Sequence, residues 1–200
     1  EDPNSLSNNN TFALIESSDG LIWIGTDPGG LNVYDPATGK FRLYLHSEED
    51  AESLVNDSIW SLMEASDGSI WVGTRGGLSR LDRESGKFKS YLVDPENPRA
   101  LAGAVVYRIY QDRAGTIWVG TRNGLNRYDP QSDDFTVFKN QADDSESLSS
   151  SNVWAMLEDS QGVFWVGTRG GGLNRFDRAT GKASAYKNTF GDPASLSNNN

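Results

Sequence analysis

The chain contains no cysteine, which excludes disulfides, thiolate nucleophiles and Cys-type zinc sites while leaving its redox compartment undecided. Its single histidine, His46, cannot alone supply a transition-metal cluster or a histidine-dependent triad. Apolar runs extend only a few residues, far short of the ~20 that a membrane helix needs. A starting Met and a charged-then-apolar leader are both missing, so the expectation is a chain whose signal was removed or a piece of something longer. Basic residues are scarce: 18 against 28 acidic ones give a net charge of −10, a surface that repels phosphate backbones, and no nucleic-acid partner is expected. What remains is 36% hydrophobic and 23% charged, ordinary for a folded domain and too apolar for a disordered acidic tail.

Internal repetition organises the 200 residues. The string WIGT at 23–26 returns as WVGT at 71–74, 118–121 and 165–168, and a loop leucine recurs at Leu6, Leu54, Leu101, Leu148 and Leu196. The period is about 47 residues. It sets units of approximately 6–53, 54–100, 101–147 and 148–195 within a single domain. The segment SLSNNN at 195–200 repeats SLSNNN at 5–10, where a further unit is expected to start.

Each unit reads as four short strands. The first, SIWSLME at 58–64 or NVWAMLE at 152–158, is apolar on both faces. A tight turn such as Asp19-Gly20 or Asp67-Gly68 leads to the strand of the WVGT motif. A Gly-rich turn then gives a third strand, GLNRYD at 124–129, and a TGK-type turn gives a fourth with alternating aromatics. Four-stranded antiparallel units at this period predict an all-β fold: a β-propeller of four blades, forming either half of an eight-bladed ring or a fragment of a larger one.

The combined string, SLSNN, an apolar strand ending in Glu, a DG turn, WVGT and GGLNRYD, resembles the two-component regulator propeller repeat across all four units. That resemblance implies an extracytoplasmic, periplasmic sensor region of a bacterial hybrid histidine kinase or related signalling protein. Members of this kind usually add further blades, a small β-sandwich, a membrane helix and an output domain. Relatives suggest oligosaccharides as ligands.

In an up-and-down blade, the turns after the second and fourth strands share one end, and here that end carries the longer loops. Any site is expected there, around a central channel. Arg75, Arg122 and Arg169 each follow the Thr of the motif, with Asp27 in the first unit. An arc of guanidinium groups suits an acidic ligand such as a carboxylated sugar. A repeated Arg equally suits stacking on a neighbouring aromatic or holding loop carbonyls. Arg108 departs from the repeat, standing where Ala13, Ser61 and Ala155 stand elsewhere, and either contacts ligand or pairs with an acid. Asn56 and Asp57 suit a polar ligand or a turn.

Other features are read structurally. Phe12, Trp60, Tyr107 and Trp154 hold one register of the first strand and are expected to pack in the core between blades. Glu16, Glu64 and Glu158, with Gln111 at the fourth place, are read as turn and edge chemistry rather than as a glycosidase carboxylate pair. GTRGGG at 167–172 lacks the Lys-Ser/Thr and helix of a phosphate loop, and the acidic stretches lack calcium-loop spacing. No cofactor or metal is implied.

The leading expectation is a non-catalytic ligand-sensing module for an oligosaccharide or acidic sugar. A protein-interaction or self-assembly module comes second. A propeller lyase comes third, because such enzymes need a catalytic His and a metal whereas His46 stands alone in an acidic loop. For assembly, a dimer closing an eight-bladed ring stands beside a chain whose further blades lie in a longer protein, with a closed four-bladed monomer behind both.

Overall fold

The computed structural model describes residues 5–200 as sixteen strands, with no helix among the described residues. They form four four-stranded sheets, each in plain sequence order. The first blade holds β1 (Thr11–Glu16), β2 (Ile22–Thr26), β3 (Leu31–Asp35) and β4 (Lys40–Tyr44), and the second β5 (Ile59–Glu64), β6 (Ile70–Thr74), β7 (Leu78–Leu81) and β8 (Phe88–Tyr91). The third holds β9 (Val106–Gln111), β10 (Ile117–Thr121), β11 (Gly124–Asp129) and β12 (Asp134–Phe138), and the fourth β13 (Val153–Glu158), β14 (Phe164–Thr168), β15 (Gly172–Phe176) and β16 (Ala183–Tyr186). These are the blades of a β-propeller, as the repeat predicts.

The chain divides into two compact units, one reaching to Val93 and adding Ala104–Ile109, the other comprising Asp94–Gly103 and Tyr110–Asn200. The first has its core around Trp23, Leu31, Leu54, Ile59 and Val72, and the second around Trp118, Leu125, Val153, Phe164 and Phe176. Each fully buried aliphatic side chain there contributes about 1.5–3 kcal/mol.

Every letter of the WVGT motif has a physical task. The indole N–H donates to the residue closing the first strand or its turn: Trp23 to Ser17 Oγ (2.9 Å), Trp71 to Ser69 Oγ (3.1 Å), Trp118 to Asp112 Oδ2 (3.0 Å) and Trp165 to Asp159 Oδ2 (2.8 Å). A buried indole without such an acceptor would cost desolvation energy. The Thr hydroxyl donates to the carbonyl of a glycine three or four residues on, 2.9 Å for Thr74 to Gly77 and 3.1 Å for Thr168 to Gly172, tightening the turn. At the DG turn, Gly20, Gly68, Gly115 and Gly162 all have φ between 78° and 85°, a left-handed backbone that other residues resist.

The Gly of the motif makes room for the next blade. A Cβ at Gly73 would lie 2.6 Å from Val106 Cγ1, and one at Gly120 would lie 2.9 Å from Val153 Cγ1. Ile59 crowds Gly25 in the same way. Ile59, Val106 and Val153 are each 0% exposed, so a β-branched plug fills a glycine socket at each of these three joints. Within each unit a carboxylate adds a polar clamp. Glu64 accepts from Ser18 N at 2.7 Å and from Arg83 at 3.1 Å, while Arg83 also pairs with Asp19. Glu158 accepts from Arg113 N at 2.8 Å and from Arg178 at 3.1 Å, while Arg178 reaches Asp112 at 3.0 Å. The backbone N–H of Arg113, then Arg178, hold the Glu158 carboxyl below its usual range. These glutamates therefore join neighbouring blades, a larger role than the turn and edge chemistry expected of them.

Candidate functional site

The register of the first strand determines what the protein displays. Thr11 pairs with Thr26 and Ala13 with Gly25, so Phe12 is the extra residue of a β-bulge. Trp60 lies between the Ile59–Thr74 and Ser61–Gly73 pairs, and Trp154 between Val153–Thr168 and Ala155–Gly167. A bulge re-aims the side chain it carries. Phe12 is 54% and Trp154 42% exposed, and Trp60 and Tyr107 are half-buried. This corrects the expectation that these aromatics belong to the core. They do pack on one another at the surface of the first unit: Phe12 stacks on Trp60 at 5.8 Å and Trp60 lies 5.5 Å from Tyr107.

Polar groups from the motif turns stand beside this row. Asp27 accepts the Trp60 indole N–H through Oδ2 at 3.1 Å. The Arg75 guanidinium lies 5.8 Å from the Trp60 ring centre, and in the second unit Arg169 lies 5.6 Å from that of Trp154. Both arginines are exposed, and no protein acceptor among the described residues takes their guanidinium N–H groups. Stacking on the indole holds each fork in place at little entropic cost while its donors face water. Such an arrangement can accept a planar carboxylate through two N–H groups and a sugar ring against an aromatic edge.

The other candidates are distributed differently. Arg108 is exposed on β9 next to Tyr107, within the first unit, and Arg122 is exposed after the third motif, within the second. Asn56 Oδ1 accepts from Ser58 N at 2.9 Å, an Asx turn. The Asp57 carbonyl caps Gly29 N and Gly30 N at 3.1 and 2.9 Å, and its Oδ1 takes His46 N at 2.7 Å. His46 Nδ1 lies 2.7 Å from the Leu54 carbonyl. Asn140 Nδ2 donates to the Leu148 carbonyl at 2.7 Å from the equivalent position, which assigns His46 Nδ1 as a donor doing the same job. These loop residues fasten a connection between blades, leaving Asp27, Arg75 and the bulge aromatics as the groups the first unit brings together.

The sequence pattern assigns these aromatics to the core for a physical reason. Apolar residues on consecutive positions read as a strand covered on both faces, and alternation alone cannot register an inserted residue. The available signal was the small residue after each aromatic, Ala13, Ser61 or Ala155, which sits opposite the motif glycine and leaves the aromatic as the residue to be displaced.

Solved structures with this fold include the extracellular domain of the putative hybrid two component system BT3049 from B. thetaiotaomicron, which is 23% identical with a TM-score of 0.78 and matches 90% of this chain but 25% of its own length. The extracellular domain of BT4673 from the same organism is 21% identical with a TM-score of 0.54, over 92% of this chain and 32% of that one. Virginiamycin B lyase from Staphylococcus aureus is 19% identical with a TM-score of 0.62, over 88% of this chain and 55% of that one. The chain thus spans a quarter to about half of the length of these neighbours. No curated protein matches it. The family model described as two component regulator propeller matches residues 5–27, 53–76, 100–123 and 147–170, each match running from the docking loop through the motif turn. By these four repeats the chain belongs to the two component regulator propeller family.

Proposed function

We propose that this chain is the ligand-binding propeller of an extracytoplasmic bacterial sensor, and that it takes an acidic oligosaccharide on the aromatic row. The observation that carries the reading is Arg75, stacked on Trp60 beside Asp27 with its N–H donors turned to solvent. Membership in a signalling family, and neighbours that are extracellular domains of two-component systems, support the setting. Binding is the whole task, with no catalysis. The ligand biases a signalling equilibrium by its difference in affinity for the two states.

The test is calorimetric binding of uronic-acid oligosaccharides beside neutral ones. Arg75→Ala is expected to weaken uronate binding about ten-fold or more, since a charge-assisted pair contributes about 1.5–3 kcal/mol. Arg75→Lys, which keeps the charge but loses the fork, should recover only part of it. Uronate affinity unchanged by Arg75→Ala would overturn the assignment. The lyase alternative has a separate check. His46→Asn substitutes the residue that Asn140 and Asn188 provide in other loops, so fold and binding should both survive it.

A further inference from the structure

The third blade displays a side chain at a position that the second keeps covered. On β9, Val106 and Ile109 are buried anchors, 0% and 3% exposed, while between them Tyr107 is half-buried and Arg108 exposed. Strict alternation would cover one of two consecutive residues, but an inserted residue, as β5 has at this place, lets both escape burial. On β5 the anchors are Ile59 and Leu62, and Trp60 alone is displayed between them. Ser61 is 4% exposed, and its Oγ accepts from the Ile109 N–H at 3.0 Å. That bond ties β9 to β5 one residue beyond Arg108, so the backbone carrying Arg108 is held firmly. Ala13 and Ala155 stand at the same position in the first and fourth blades. A long cationic side chain where a methyl group serves elsewhere is no requirement of blade construction, which repeats.

Arg108 also lacks what holds other cations of its unit. Arg80 pairs with Asp67 at 2.7 Å, Arg83 with Glu64 at 3.1 Å and Lys87 with Glu52 at 2.6 Å. No acid among the described residues pairs with Arg108, in a chain whose net charge is −10 and whose carboxylates are plentiful. Its neighbours in space are the aromatic row. Arg75 lies 5.8 Å from the Trp60 ring centre, Trp60 lies 5.5 Å from Tyr107, and Arg108 follows Tyr107 along the strand. Each of two adjoining rings therefore has a guanidinium beside it, and all four residues belong to the second and third blades and to one compact unit.

Building on the Arg75 reading above, we propose that Arg108 is a second acid-binding group of the row, and that the ligand carries carboxylates on at least two of its sugars. One carboxylate meets the Arg75 fork over Trp60, and another, on a sugar placed against Tyr107, meets Arg108. An exposed ion pair is worth little alone. Here the second pair forms on a ligand already held by the first, so little further freedom is lost in making it. Charge also gives the row a direction. From the first blade to the third it runs Asp27, Arg75, Arg108, which sets the acids of the ligand toward β9 and hydroxyl groups toward Asp27.

Calorimetry with oligomers of galacturonate, glucuronate and mannuronate tests this, each oligomer supplied fully acidic and methyl-esterified to leave a single free carboxylate. The parent should bind the fully acidic form about five- to ten-fold more tightly than the single-acid form. Arg108→Ala should weaken binding of the fully acidic form by a similar factor and leave the single-acid form unchanged, whereas Arg75→Ala should weaken both. Arg108→Lys, which keeps the charge without the fork, should restore part of the preference. Alanine is the residue of the first and fourth blades at this position, so the Arg108→Ala variant should unfold in denaturant with the parent. Equal losses for the two forms, or no loss for either, would overturn the role of Arg108 and leave the Arg75 reading standing. A parent that binds none of these oligomers would overturn the Arg75 reading, and this inference with it.

Discussion

The third and fourth blades carry nearly the same motif strands, IWVGT and FWVGT, followed by GLNRY and GLNRF, yet they bury them differently. In the third blade every residue of β10 is buried and Trp118 is 1% exposed. In the fourth, Trp165, Gly167 and Leu173 are only half-buried. Strand geometry, turn hydrogen bonds and the indole bond to an aspartate are the same in both. What differs is the blade that follows: Val153 fills the socket at Gly120, and nothing among the described residues fills that at Gly167. Local sequence therefore makes the blade, while the neighbour decides how much each residue contributes to stability.

The largest expected effect lies in the paired tryptophans. Trp118 packs against Phe138, Phe164 and Phe176, so Trp118→Ala should cost about 3–5 kcal/mol in denaturant unfolding. Trp165→Ala, at the half-covered face, should cost about half as much. Equal losses would mean that the contribution is set inside the blade and would break the comparison. The glycine pair follows. Gly120→Val drives a side chain into Val153 and its carbonyl and should cost about 1–3 kcal/mol. Gly167→Val meets only Ala155, and at protein concentrations too low for association it should stay within about 0.5 kcal/mol of the parent.

Much of this was legible before any coordinates. Four blades and their strand order follow from period and turn chemistry, which are local properties. The stacking of Arg75 and Arg169 on aromatics was one of two readings open to a repeated arginine. What could not be read was anything set by a neighbouring blade. Whether Leu14 or Leu62 is covered is decided about 47 residues away. The exposure of Phe12 and Trp154 hangs on a one-residue bulge, which hydropathy alone cannot register. The clamp was hidden for the same reason, since Glu64 and Arg83 gain meaning only once Ser18 and Asp19 lie beside them.

That clamp carries the smallest predicted effect and the most specific signature. The third blade has Gln111 and Pro130 where the second has Glu64 and Arg83 and the fourth has Glu158 and Arg178, so carboxylate–guanidinium clamps hold the joints inside each unit. The native Glu158 carboxyl titrates below its usual range, chiefly because the Arg113 N–H and then Arg178 bond the ionised form. A group whose pKa is lowered by folding stabilises the native state while it is ionised in both states. Its contribution is thus complete above the ordinary glutamate value of about 4.3 and shrinks as pH falls through the lower native value. Glu158→Gln should therefore be less stable than the parent at neutral pH, with the gap closing as unfolding is measured at successively lower pH. The same substitution at Glu16, exposed on β1, should leave monomer stability unchanged at neutral pH. A Glu158→Gln deficit that persists undiminished into acid would assign the role of this residue to shape rather than charge, and would remove the electrostatic part of the joint.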